Sequence, residues 1–224
     1  MAMSNVVQAI KLIPLLLLLS FIGVPAYAAA DIRKVVEVEK PRTFVFHCED
    51  NYTFVARVED NNAWLFLPAR TLDLPQVSPY VFQKGDVRFK IDGQSGQIEE
   101  NGKVIHQCQN NHREAIWEHA KLNGADFRAI GNEPGWNLET YEGSTRAVLI
   151  TGYGSKRHEF DLLPPQIDRD SATTIFSSST AKPKITLKIV GKNCHDTMSD
   201  EKFESTVEIN LDGKVLRGCG RALH

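Results

Sequence analysis

Several things are scarce in this chain, and each scarcity removes a class of function. There is no basic excess: 26 Lys and Arg stand against 28 Asp and Glu, a formal net charge of −2 over 224 residues. Nucleic-acid binding wants a basic face, so that class is set aside. No run of like charge marks an acidic or basic tail. No glycine-rich phosphate loop precedes a helical pattern; the glycines of "TGYGSK" at 152 and 154 are followed by strand-like sequence. The GxSxG elbow and the CxxCH haem attachment are both missing. No alternation of helix and strand supports a doubly wound or barrel enzyme, and no nucleophile, base and orienting group assemble. The sequence reads as a non-enzyme with no cofactor.

Long apolar runs are also absent, except at the start. Residues 12–24, "LIPLLLLLSFIGV", follow Lys11 and precede "PAYAAA". The run falls short of the roughly 20 residues that span a bilayer, and Ala26-Tyr27-Ala28 has the small-x-small pattern of a cleavage site. Residues 1–28 are therefore expected to be a cleaved signal peptide, with a second possible site ending at Ala30. The first cysteine is Cys48, too late for a lipid anchor, so the expectation is an exported protein without a stable membrane anchor.

Export gives meaning to Cys48, Cys108, Cys194 and Cys219. Four cysteines in an oxidising compartment predict two disulfides, with three pairings possible. Local pairing, Cys48 with Cys108 and Cys194 with Cys219, is the simplest. Loop entropy then gives about 4 and about 3.5 kcal/mol of stabilisation. The rival is a metal site using His47 and His106 beside the first two cysteines; export disfavours the free thiolates it needs.

From Thr43 the pattern is short strands and tight turns. "TFVFHCED" and "YTFVARVED" alternate apolar and polar residues, the period of a half-buried strand. "AWLFLPAR" carries Trp64, Leu65, Phe66 and Leu67 in succession and is expected to be buried on both faces. Turn chemistry recurs at Asp50-Asn51, Asp60-Asn61-Asn62, Lys84-Gly85-Asp86, Asp92-Gly93 and Asn101-Gly102. Residues 112–124 break the rhythm. Asn111 suits an N-cap, Glu114 its third position and Gly124 a stop, with Ile116, Ala120 and Trp117 as the packing face. Strand signals return from "FRAIG" to "KVLRGCGRAL". The expected fold is all-β: two small antiparallel barrel or sandwich domains, 31–111 and 125–224, joined by a short helix.

Two stretches stand out. "YVFQKGDVRF" (80–89) is a hairpin with Lys84 at its tip. "GNEPGW" (131–136) puts Glu133 and Trp136 around a tight turn, either at the mouth of a ligand pocket or as a turn capped by a core tryptophan; the second is preferred.

Residues 44–108 resemble the membrane-bound and periplasmic inhibitors of c-type lysozyme found in Gram-negative bacteria. The matching elements are "FHCED", "FLPA", "YVFQKGDVRF" and the closing "VIHQC". The resemblance implies a small β-barrel closed by a Cys48–Cys108 disulfide, a c-type lysozyme as partner, and a periplasmic location. It matches Tyr80, Phe82, Lys84 and Gly85 to the family's lysine hairpin, with Gln83 beside its usual aromatic position. It also implies that Lys84 enters the lysozyme cleft, together with a hydroxyl from a preceding loop. That loop reads roughly S-G-x-x-Y in the family, whereas this chain has "ARTLDLPQVSPY"; the available hydroxyls are Thr71 and Ser78. Glu49-Asp50 and Glu59-Asp60 either steer a basic partner or are solvated turn residues. The second half resembles an uncharacterised bacterial envelope domain through "GNEPGW" and "GCGRAL", which favours pairing Cys194 with Cys219 and carries no activity across. The alternative reading is a periplasmic ligand-binding or envelope-maintenance protein that uses the inhibitor-like barrel as a scaffold.

Overall fold

Period-two alternation makes most of this chain into strands, and closely spaced hairpin turns force neighbours to pair antiparallel. The computed structural model describes residues 40–179, 183–196 and 198–224. The expected signal peptide and its cleavage sites lie outside them. Among the described residues no helix is long and apolar enough to cross a membrane. The fold is almost all β, as expected: a closed barrel, a short helix and a nine-stranded half-barrel.

The barrel consists of β1 (Arg42–Cys48), β2 (Thr53–Glu59), β3 (Asn62–Phe66), β4 (Thr71–Ser78), β5 (Val81–Lys84), β6 (Val87–Asp92), β7 (Ser95–Glu100) and β8 (Lys103–Asn110). Each strand pairs with the next, and β8 returns to β1 through Phe46↔Asn110, His47↔Gln109 and Cys48↔Cys108. Closure leaves no free edge for intermolecular pairing. Phe46, Phe54, Phe82 and Phe89 fill the interior with stacked and edge-on ring contacts. The "AWLFLPAR" strand does not bury both faces. Leu65 is fully buried, but Trp64 is 40% exposed and points outward opposite Arg57 and Asp73. A barrel strand has only one dry face, so alternation wins over composition.

Helix α1 (His112–Leu122) starts where expected: Asn111 Oδ1 accepts from the Glu114 backbone, and Asn111 Nδ2 donates to Glu114 Oε1 at 2.8 Å. Its buried face is Ala115, Trp117 and Ala120, while Ile116 is 40% exposed. Placing Ile116 on the packing face was therefore incorrect; Trp117 fixes the rotation. Trp117 packs against Phe203 with tilted rings, centroids 5.2 Å apart, and the guanidinium groups of Arg128 and Arg221 lie 5.5 and 4.5 Å from its ring. The helix also meets the barrel by polar contacts. Thr43 Oγ1 lies 3.0 Å from His119 Nδ1, Arg57 donates to Asn123 Oδ1 at 2.9 Å, and His47 pairs with Glu114 at 2.8 Å.

The second sheet holds β9 (Ala125–Asn132), β10 (Gly135–Tyr141), β11 (Arg146–Thr151), β12 (Lys156–Asp161), β13 (Gln166–Asp168), β14 (Thr173–Ser177), β15 (Ile185–Val190), β18 (Ser205–Leu211) and β19 (Lys214–Ala222). Their order is β12-β11-β10-β9-β19-β18-β15-β14-β13, and a Leu162↔Ser178 bridge draws the two sides together. A small ribbon, β16 (Cys194–His195) with β17 (Lys202–Phe203), packs on the outer face beside α1. The inner face carries the core of Leu138, Leu149, Leu187 and Ile209, around Trp136.

"GNEPGW" and "GCGRAL" meet in this core. Trp136 pairs with Gly131 across β9 and β10. A Cβ on Gly131 would stand 2.1 Å from Trp136 Nε1. On Gly218, it would stand 2.0 Å from the Ile130 carbonyl oxygen and 2.7 Å from Trp136 Cζ2. The indole lies in a bed that only glycine leaves open.

Both disulfides are local: Cys48–Cys108 and Cys194–Cys219, with no free cysteine. Two such bonds are those of a protein that folds in an oxidising compartment.

Candidate functional site

Hairpins of an up-and-down barrel alternate between its two ends, and this sorts the sequence-selected residues. The β5–β6 hairpin carries Lys84 and Gly85. It shares its end with the β3–β4 and β7–β8 connections: Asn101 N donates to Asp86 O at 3.0 Å, and Arg70 pairs with Glu100 at 3.3 Å. Lys84 pairs with Val87, so Gly85-Asp86 forms a two-residue turn with Gly85 at φ +59°. Gln83 Nε2 donates across the turn to Gly85 O at 3.2 Å.

The Lys84 side chain is 65% exposed, and its ammonium lies 3.9 Å from Asp73 Oδ2. That is an outward-facing pair at the limit of ion-pair distance, where water screens most of the attraction. Asp73 is held from its other side by Asn62 Nδ2. The outer surface thus runs from Arg57 over Trp64 and Asp73 to Lys84, one residue from each of four successive strands.

Thr71 lies two residues before Asp73 on the same outward face of β4, so it belongs to the Lys84 end. Ser78 and Tyr80 do not. Ser78 pairs with Val81 at the far end of β5, roughly 10 Å from Lys84 at about 3.3 Å per strand residue. Tyr80 (φ +60°, 51% exposed) is at that far end, its ring about 6.0 Å from the Arg42 guanidinium. Of the two hydroxyls, the fold brings Thr71 toward the lysine and separates Ser78 from it. Asp73 and Trp64 were missed because cross-strand neighbours follow from register, which local sequence does not display.

The acidic pairs also separate. Glu49-Asp50 sits in the β1–β2 turn at the Lys84 end, and Glu59-Asp60 in the β2–β3 turn at the other. Asp50 pairs with His106 at 2.8 Å. Burial pushes the Asp50 carboxyl up, but hydrogen bonds from Tyr52 N and His106 outweigh it and hold the group below the usual range. Cys48, Asp50 and His106 lie within 4.8 Å of one another, a metal-like grouping. The Cys48 sulfur is bonded to Cys108 and offers no thiolate.

In the second sheet, Trp136 is 5% exposed and belongs to the core, whereas Glu133 is exposed in the β9–β10 turn. The Glu133–Pro134 peptide is cis. On the outer face beside this turn lie two adjoining cavities of about 560 and 480 Å³, which share Ile130, Asn132, Glu133 and Met198. Asp196 anchors the turn that carries Met198. Burial raises its carboxyl, but hydrogen bonds from Ser199 and Asn132 and from the Met198 and Ser199 backbone prevail and keep it low.

The chain matches no protein-family model, no curated protein and no solved structure.

Proposed function

We propose that the barrel of residues 42–110 is a proteinaceous inhibitor of c-type lysozyme that acts in the periplasm after export. The observation that carries this reading is the state of Lys84. It is an exposed ammonium at the tip of a braced hairpin, with only a stretched contact to Asp73. Such a group is ready to exchange its partner for a better one.

A lysozyme cleft offers that exchange. The enzyme needs one protonated and one ionised carboxylate across its substrate groove. The inserted lysine pairs with the ionised group and fills the sugar site. Its charge also lowers the pKa of the neighbouring acid and weakens proton donation. Burying the ammonium is tolerable because the partner supplies the opposite charge. Thr71 takes the part of the hydroxyl at the same barrel end. The chain itself performs no catalysis in this reading.

Lysozyme inhibition by the protein and by Lys84→Ala tests it. Truncating one partner of a buried charge pair costs about 2–5 kcal/mol, so inhibition should weaken roughly 30-fold or more. Equal inhibition by the variant, or none by the wild type with both disulfides formed, refutes it.

A further inference from the structure

We propose that the outer-face cleft beside the β9–β10 turn binds a neutral saccharide, with Tyr153 as its platform. Tyr153 lies in the middle of the β11–β12 turn, between Gly152 and Gly154, and is 84% exposed. It is nevertheless fixed. Its backbone N donates to Gly135 O at 3.3 Å, and its ring rests on Gly135, where a Cβ would come within 2.7 Å of Cδ1 and Cε1. An aromatic ring backed by main chain and open on its other side presents a flat apolar surface with a polar tip. Such a surface suits the C–H face of a sugar ring.

The walls agree with this ligand class. Tyr153 borders the 480 Å³ cavity together with Glu133, Asn137 and Arg128. Among the described residues, the side chains of Tyr153, Glu133 and Asn137 make no hydrogen bond or ion pair, while the Arg128 guanidinium is held by Glu139 and lies over Trp117. Donors and acceptors of both kinds thus surround an apolar platform, the composition of a small-molecule site. Charge argues against a polyanion. In the adjoining 560 Å³ cavity Arg217 is paired with Glu208 at 2.9 Å and His195 with Asp200 at 2.8 Å, which leaves one further cation, Lys188, and two further carboxylates, Glu133 and Asp196, on the walls. An acyl chain would want a continuous apolar wall, which these polar side chains interrupt. The volumes fall within the range of roughly 300–1,000 Å³ typical of ligand sites.

The test is calorimetry and saturation-transfer NMR on the full protein with chitotetraose, cellotetraose and maltotetraose, and with decanoate as the apolar control. At least one tetrasaccharide should bind saturably. Tyr153→Ala should weaken it about tenfold or more, while Tyr153→Phe keeps most of the affinity. Both variants should retain the wild-type circular dichroism, both disulfides and any lysozyme inhibition, which separates this site from Lys84. Saturable binding by none of the sugars, binding of decanoate alone, or undiminished binding by Tyr153→Ala overturns the proposal.

Discussion

Adding one methyl group at Gly218 should damage the second sheet more than any exposed substitution. The new Cβ would meet a main-chain oxygen, Ile130 O at 2.0 Å, and the edge of a buried indole, Trp136 Cζ2 at 2.7 Å. Neither yields easily: the carbonyl belongs to β9, which pairs with β19 at Cys219↔Ile130, and the indole is packed in the core. Overpacking of this kind costs about 1–3 kcal/mol, and two rigid neighbours place Gly218→Ala at the upper end, about 3 kcal/mol. For a chain of this length that lowers Tm by roughly 6–12 °C. Gly213→Ala is the matched control. Its φ of +90° makes alanine unfavourable, but no atom lies within 4 Å of the added carbon, so it should cost about 1 kcal/mol. Urea unfolding with disulfides intact, followed by tryptophan fluorescence and far-UV circular dichroism, reads both. If Gly218→Ala is no more costly than Gly213→Ala, the indole bed is not the reason for these glycines.

Other consequences are equally direct. Asp73→Asn removes the internal competitor for Lys84; because the pair is exposed and stretched, lysozyme inhibition should strengthen only modestly, by about fivefold or less. Replacing Cys48 and Cys108 together by alanine should cost about 4 kcal/mol, from a sequence separation of 60, measured by denaturant unfolding without reductant. His119 should make stability pH-dependent. Asn123 Nδ2 faces its Nε2 at 2.9 Å while Asn123 Oδ1 accepts from Arg57, so Nε2 is the acceptor and Nδ1–H donates to Thr43. This arrangement needs the neutral ring, and burial, with Arg57 nearby, holds the pKa below its ordinary 6.5. The unfolded chain therefore takes up a proton first as pH falls, and stability should decline below about pH 6.5 by a component that His119→Gln abolishes. A pH titration of unfolding with the same slope in both proteins would contradict it.

Much of this architecture was legible because its signals are local. Alternation gave the strands, Asn111 and Glu114 gave the helix start, and local cysteine pairing, the simplest of three possibilities and the one the resemblances favour, is the pairing observed. What stayed hidden depends on register or rotation. Trp64 sits in an apolar run whose composition masks its outward direction. Ile116 and Trp117 are adjacent, and it is Trp117 that turns inward, into a cluster with Phe203 and Leu223 contributed by distant parts of the chain. Tyr153 between two glycines reads as plain turn until Gly135 appears beneath it. Lys84 was visible as an odd residue in its hairpin, but Asp73 beside it was not, since the two are neighbours only once β4 and β5 pair.

The seam between β1 and β8 has a meaning for chain connectivity. The polypeptide enters the barrel at Arg42 and leaves it at Asn110, which lies opposite Phe46 on the entering strand. Entry and exit are therefore separated by about four strand residues, roughly 13 Å. A unit whose ends lie this close behaves as a cassette: it can be spliced into a surface loop of another protein without stretching either side. The same proximity lets a linker of about five residues join Asn110 to Arg42 and new termini be opened at Asn101-Gly102, a turn on the opposite side of the Cys48–Cys108 bond. Barrel, disulfide and Lys84 hairpin would then be the same object threaded in a different order.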